Sequence, residues 1–154
     1  MLLRKSWYWI GLLGLSFWST KPGLAQPLEA RVSRYTRFLQ EKGWSIAAET
    51  PNEIQFWEDG QVYHLEISQD TQFFRLVLPA VYTLAEAPSE CQVLKVCEEV
   101  NSQIKVCKAL IQEEEVDLVF EILLVSPDDF RLLFSRALTA LQTAKQFFVE
   151  KISD

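Results

Sequence analysis

Apolar positions recur at helical spacing near both ends of the sequence. From Leu28 to Lys42 they return every three or four residues, which predicts an amphipathic helix. Gly43 follows directly, at the place where a left-handed helix end favours glycine. A longer stripe follows Ser126-Pro127-Asp128-Asp129, which supplies a cap, a proline in the first turn and two acids at the positive helix end. This core-facing stripe consists of Phe130, Leu133, Phe134, Ala137, Leu138, Leu141, Ala144 and Phe148.

A further helix is predicted between these two, from about Ser89 to about Asn101. The stretch Ser89-Glu90-Cys91-Gln92 fits a capping box, in which a hydroxyl and an amide side chain satisfy each other's free backbone N–H groups. At about 100° per residue, Cys97 falls on the apolar face of this helix, whereas Cys91 lies on the opposite side. The other residues of the apolar face are Val93, Val96 and Val100.

Short extended runs fill the remaining chain. Runs at 44–49, 54–57, 63–67 and 73–78 are separated by turn signals, of which Asp59-Gly60 is a strong hairpin pair, and Pro79 is expected to end the fourth run. Runs at 104–111 and 116–125 flank a charged turn and predict a strand pair. The order is helix, strands, helix, two strands, helix. With hairpin-length turns, it predicts an α+β domain in which an antiparallel sheet carries its helices mainly on one face.

The N-terminal segment predicts export. Arg4 and Lys5 precede an apolar run from Trp7 to Trp18, and Gly23 and Ala25 then place small residues at a cleavage site. The run has 12 residues, fewer than the roughly 18 that a membrane span needs. We therefore predict a secretory signal peptide at 1–25 and a single domain at 26–154, in a periplasmic or extracellular protein. The alternative is an uncleaved membrane anchor.

The charge of the predicted mature chain argues against nucleic acid as a partner. Residues 26–154 keep 12 basic side chains against 21 acidic ones, a net charge of −9. A protein that binds phosphate backbones generally has the opposite sign. No second apolar segment approaches the length of a membrane span, and no glycine-rich phosphate loop is present, because Gly43 and Gly60 are the only glycines of this part. We expect no cofactor.

All three cysteines lie between residues 91 and 107. Cys91 and Cys97 are about 9 Å apart along an intact helix, and a disulfide needs Cα atoms within about 7 Å, so these two cannot pair. Export makes a bridge between Cys97 and Cys107 chemically plausible, and the alternative is two separate buried thiols. Cys91, in the first helical turn, could carry a redox or covalent role, because the helix dipole favours its thiolate.

His64 is the only histidine, so any Ser-His or Cys-His catalyst would have to use it. It shares a strand face with Glu66, and such a pair could bind a metal or orient a base. The alternative is an ordinary residue on the polar face of a strand. Three cysteines and one histidine scattered along the chain do not fit a structural zinc site, which usually has four ligands. We predict no catalytic residue and no metal site.

Four stretches in this order resemble the YbjN-like family, whose broader fold is that of type III secretion chaperones. They read "LQEKGWSI", "IQFWEDGQVYHLEI", "CEEVNSQIKV" and "LVFEILLVSPDDFRLLFSRALTALQTAKQFF" and span nearly all of the chain after residue 26. The resemblance implies a small binding domain, often dimeric, that grips partner segments on apolar surface and has no catalytic machinery. The matched positions Gly43, Trp44 and Asn101 look structural. Relatives with secretion roles act inside the cell, whereas this chain carries an export signal.

These observations lead to the hypothesis of an exported, non-enzymatic, chaperone-like domain that binds a protein partner or a second copy of itself. The expected contact surface is the sheet face away from the helices, where Trp57, Val119, Leu123 and Val125 would leave apolar area. One alternative is a small-ligand carrier with a pocket between the sheet and the helices. The other is a thiol or redox protein centred on Cys91.

Overall fold

The computed structural model describes residues 28–87 and 89–153, so the predicted signal peptide lies outside the described residues. In chain order the helices and strands are α1 (Leu28–Glu41), β1 (Ser45–Thr50), β2 (Glu53–Glu58), β3 (Gln61–Glu66), β4 (Phe73–Thr83), α2 (Glu90–Gln103), β5 (Cys107–Gln112), β6 (Glu115–Leu123) and α3 (Phe130–Ser153). A single 3₁₀ turn at Leu84–Glu86 connects β4 to α2. Within the described chain, no helix is both long and apolar enough to cross a bilayer.

The six strands form one antiparallel sheet in the order β1-β2-β3-β4-β6-β5. The helices pack against one side of it, which we call the helix face, and the other side is the outer face. The predicted α+β architecture is therefore confirmed. The strand residues that enter the core from the helix face are Ile54, Phe56, Tyr63, Leu65, Phe74, Leu76, Leu78, Cys107, Ala109, Val116, Leu118 and Phe120.

The end of α1 follows from the glycine that the sequence places there. Gly43 has a φ of 89°, its N–H donates to the carbonyl of Gln40 (3.0 Å), and the next N–H, from Trp44, donates to the carbonyl of Leu39 (3.0 Å). This pair of bonds is a Schellman motif. The turn brings the Trp44 ring to 5.0 Å from that of Phe134, and its indole N–H donates to the Glu58 carboxylate. Gly43 and Trp44 are thus structural residues.

The start of α2 forms only half of the predicted capping box. The Ser89 hydroxyl accepts a hydrogen bond from the backbone N–H of Gln92 (3.2 Å). The Gln92 side chain does not return to Ser89. It donates instead to the carbonyl of Ile152 (3.3 Å) and so ties the first turn of α2 to the last turn of α3.

The prediction that Pro79 ends its strand is wrong, because β4 continues to Thr83. The pairing of β4 with β3 stops at Val77, so Pro79 falls where β4 has a neighbour on one side only and a missing N–H breaks no ladder bond there. A bulge follows, with Ala80 at a φ of 50° and its N–H bonded to the Asp117 carboxylate (2.9 Å). Pairing with β6 then resumes at Tyr82.

The predicted start of β5 at Ile104 is also too early. Ile104 is the C-cap of α2, and its carbonyl accepts from the N–H of Cys107, the first residue of β5 (3.2 Å). The intervening residues form a turn, which leaves Val106 exposed.

Candidate functional site

The centre of the outer face is charged, in contrast to the expected apolar surface. Glu53, Glu66, Arg75 and Glu121 are cross-strand neighbours on β2, β3, β4 and β6. Arg75 bridges two of them, with Nη1 at 3.3 Å from a Glu66 oxygen and Nε at 3.4 Å from a Glu121 oxygen. Lys108 Nζ reaches the other Glu121 oxygen at 2.6 Å. A row of paired charges across the sheet presents no apolar contact area to a partner.

Val119 is wrong as a contact residue, because its side chain is fully buried at 0% exposure. It lies on the outer face but pairs with Val77, which is also buried, and the two stand apart from the main core. In the same row His64 flanks Val77 on one side and Lys108 flanks Val119 on the other. Long polar side chains therefore surround a small apolar pair, and the strand alternation alone does not reveal this shielding.

Trp57 is 48% exposed, as a contact residue would be, but it lies far from the other predicted contacts. On the outer face of β2 it stands beside Ser45 of the edge strand β1 and Val62 of β3. Leu123 lies six residues along the sheet and three strands across. At about 3.3 Å per residue and 4.8 Å per strand, the offsets are roughly 20 Å and 14 Å. The four predicted residues therefore do not form one surface.

Leu123 and Val125 do belong to an apolar surface, at the end of β6. Their side chains are 69% and 91% exposed, and Leu132 on the first turn of α3 joins them at 78%. Together they border a depression of about 500 Å³, which we call the β6–α3 groove. Its lining is Ile122, Leu123, Leu124, Val125, Asp129, Leu132, Leu133 and Arg136.

Sequence reasoning missed Leu132, although a signal was present. The apolar stripe of α3 passes through Leu133, and Leu132 lies about 100° away from it on the face of α3 that is expected to be polar. A large aliphatic side chain at such a position indicates a contact surface when a second apolar residue lies nearby. Only the fold shows that Leu123 and Val125 supply those neighbours.

The structure gives His64 a carboxylate partner other than the predicted one. Its Nδ1 lies 3.4 Å from a Glu53 oxygen on the neighbouring strand, and Glu66 is bonded to Arg75. His64, Glu53 and Glu66 border a polar depression of about 290 Å³, whose lining also includes Asp117. Within residues 28–87 and 89–153 no group of three or more His, Cys, Asp or Glu side chains is arranged to hold a metal ion. His64 is thus a half-buried residue of a polar strand face.

The described cysteines are unbonded. Cys91 is exposed at the start of α2. Cys97, in α2, and Cys107, on the helix face of β5, are both buried in the core. Burial raises the pKa of the Cys107 thiol to about 11 and also raises the pKa of the Cys97 thiol. Of the two arrangements considered for Cys97 and Cys107, a bridge and two separate buried thiols, this structure shows the second.

A larger cleft of about 610 Å³ lies between the β2–β3 turn and the second half of α3. Its lining is Asp59, Gln61, Gln142, Lys145, Gln146, Val149 and Glu150. Gln142 crosses the cleft and donates to the Asp59 carboxylate (3.3 Å). Six of the seven lining residues are polar or charged, but their aliphatic stems contribute much of the surface, so the cleft is neither a fully polar site nor an apolar pocket of the kind that carries hydrophobic molecules.

Asn101 closes one edge of the sheet. From the last turn of α2 its side-chain oxygen accepts from the N–H of Ala109 (2.7 Å), and its amide donates to the Ala109 carbonyl (3.3 Å). These backbone groups belong to the edge strand β5 and point away from β6. The side chain therefore takes the place of a seventh strand at this position, which blocks pairing with another chain.

Comparison with known proteins adds no family to this description. No protein-family model matches the chain, and no curated protein matches it. The YbjN-like resemblance stays a prediction.

Proposed function

We propose that this protein is an exported, non-enzymatic domain that binds an apolar segment of another protein in the β6–α3 groove. The observation that supports the proposal is the exposure of Leu123, Val125 and Leu132 around one depression. Scattered exposed aliphatic residues are ordinary on protein surfaces, whereas contiguous ones usually mark an interaction site.

The exposure of these side chains favours a protein segment over a small ligand. Pockets for small molecules enclose most of the ligand surface, and side chains that are 69–91% exposed project from the surface instead of walling a cavity. Covering all three would contribute about 4–6 kcal/mol of apolar transfer free energy, because each aliphatic side chain contributes about 1.5–3 kcal/mol on full burial. That amount is typical of the anchor residues of a protein interface.

The charged residues at the rim of the β6–α3 groove indicate which charge the bound partner segment would carry. Asp129 and Arg136 are its charged residues, and Asp129 already accepts from the backbone N–H of Ser126 (2.8 Å). Arg136 is exposed, and its side chain makes no hydrogen bond or ion pair among the described residues. A segment with two or three aliphatic side chains followed by an acidic one would match this arrangement, because the guanidinium pairs readily with a carboxylate.

The remaining parts of the proposal rest on the sequence. Export follows from the predicted signal peptide at 1–25, outside the described residues. A non-enzymatic role follows from the single histidine and from the lack of a glycine-rich loop in residues 26–154.

A site-specific photo-crosslinker at Leu132 tests the proposal in cells that express the full sequence. The matched control is a crosslinker at Leu94, which is 51% exposed on α2. We expect one discrete protein adduct at Leu132 and none of the same mass at Leu94. The partner is then identified by mass spectrometry and purified, and Leu132→Asp should weaken its binding about tenfold or more while Leu94→Asp leaves it unchanged. Equal adducts at the two positions, or equal effects of the two substitutions, would contradict the proposal.

A further inference from the structure

The two edges of the sheet differ in whether their outward backbone groups are hydrogen-bonded. At β5 the outward backbone groups of Ala109 are bonded to Asn101, and the N–H of Cys107 is bonded to Ile104. At β1, no described residue makes a hydrogen bond to the backbone of Ser45–Thr50 on the side away from β2. An edge with free N–H and C=O groups is a template for another strand, and monomeric proteins usually block it.

The side chains of β1 do not block its edge. The strand reads SIAAET, with no lysine and no proline, and the residue at its bulge is Ala47. Its one charged side chain, Glu49, is turned to the helix face, where it accepts a hydrogen bond from the Thr36 hydroxyl of α1 (2.6 Å). By contrast, β5 carries the exposed Lys108. Charged side chains are one of the devices that protect an edge strand, and β1 presents none along its outer side, so the bulge at Ala47 is its one protective feature.

Trp57 supplies a second and independent observation on the same edge. Its cross-strand neighbour on β1 is Ser45, whose side chain is too small to cover the indole. The result is a 48% exposed tryptophan directly beside an open edge. Tryptophan is the residue type most enriched among the anchors of protein interfaces. A strand added to β1 would bring its own side chains against this ring.

We propose that β1 pairs antiparallel with β1 of a second copy of this chain about a two-fold axis. In the register that places Ala47 opposite Ala48 of the second copy, Ser45 faces Thr50 and Ile46 faces Glu49. Small side chains then meet at the centre of the seam, and the two Glu49 carboxylates are not opposite each other, so no like-charge pair opposes the contact. The indole of Trp57 extends over Ser45 towards Thr50 of the second copy.

The same two-fold axis places the two α1 helices antiparallel beside the seam. The side of α1 next to β1 carries Glu29, Ser33 and Thr36. Because the helices run in opposite directions, the two Glu29 side chains lie at opposite ends of the contact. A stable dimer of standard size covers about 800 Å² on each copy, and one six-residue strand covers less. The contact therefore needs Trp57 and α1 in addition to β1, and we expect a dissociation constant that is roughly micromolar.

Sedimentation equilibrium of the protein expressed from the full sequence tests this inference. We expect a reversible monomer–dimer equilibrium, and Ala48→Lys should raise the dissociation constant about tenfold or more, because two added charges meet near the axis. Gln112→Lys is the matched control, since it adds the same charge to the exposed end of the opposite edge. Thr50→Lys provides a second variant at the seam, and circular dichroism verifies that each variant is folded.

Each outcome decides for or against the inference. A wild-type protein that sediments as a monomer at several hundred micromolar would overturn it, as would a dimer that survives both Ala48→Lys and Thr50→Lys. A dimer that Gln112→Lys disrupts equally would overturn it as well. The inference is independent of the β6–α3 groove, because Leu132→Asp should leave the dimer unchanged and Ala48→Lys should leave partner binding at the groove intact.

Discussion

Replacement of Asn101 by alanine should destabilise the domain through the edge of the sheet. Asn101→Ala removes both hydrogen bonds to Ala109, of 2.7 Å and 3.3 Å, and leaves the peptide groups they satisfied without partners. The Ala109 side chain is buried against the helix face, so only the edge side of this backbone is open to water. The cost therefore lies between the loss of two exposed hydrogen bonds and that of two fully buried ones.

The magnitude follows from these bonds and from the helix. Loss of the two hydrogen bonds lowers the free energy of unfolding by about 1–3 kcal/mol. Alanine in the last turn of α2 offsets this by about 0.5 kcal/mol, because it favours the helix more than asparagine does. The expected net change in the free energy of unfolding is about 1–2 kcal/mol. For a domain of this size, such a change lowers the melting temperature by about 3–8 °C.

Urea unfolding followed by circular dichroism measures this change, with the slope of the transition expected to stay constant. Ser102→Ala is the matched control, because the Ser102 hydroxyl donates only to the Glu99 carbonyl of its own helix (3.0 Å). It should alter stability by less than about 0.5 kcal/mol. Asn101→Asp keeps the acceptor for the Ala109 N–H and loses the donor, so an intermediate effect is expected. If Asn101→Ala is as stable as the control, the edge-closing role is refuted.

Three further predictions concern the turns and the thiols. Gly43→Ala and Gly60→Ala should each cost about 1 kcal/mol in thermal unfolding, because both glycines have positive φ and a methyl group would meet no neighbour, which leaves backbone strain as the only cost. The stability that buried Cys107 contributes should be complete below about pH 9 and lost as pH rises towards 11, because the unfolded chain releases this proton first. Replacing Cys107 by alanine should therefore flatten the alkaline fall in unfolding free energy, and an unchanged slope would contradict the assignment. Under native conditions a maleimide should label Cys91 rapidly and Cys97 only after unfolding, as read by mass spectrometry.

Local sequence patterns are sufficient to predict the order of the elements. Helical and strand periodicities are local, so α1, α2 and α3 and the alternating runs of the sheet could be predicted from neighbouring residues alone. The Gly43 turn is equally local, since one residue supplies the positive φ that the Schellman motif requires. The second helix could be assigned a cap at Ser89 for the same reason, although the partner of Gln92 came from α3.

Which side chains are accessible depends on how the strands and helices pack against one another. Strand alternation correctly places Val119 on the outer face, but its burial depends on Val77 of β4 and on polar neighbours from β3 and β5. The separation of Trp57 from Leu123 likewise depends on strand order and register, which no local pattern contains. Leu132 acquires its neighbours only when the start of α3 packs beside the end of β6.

The same distinction explains the strand that passes Pro79 and the role of Asn101. A proline ends a strand that is paired on both sides, yet β4 has lost its β3 neighbour at that point and tolerates the missing N–H. Asn101 is recognisable in the sequence only as a residue between a helix and a strand. Its two bonds to Ala109 exist because α2 folds back along β5, and such a contact between elements is set by packing and not by the residue itself.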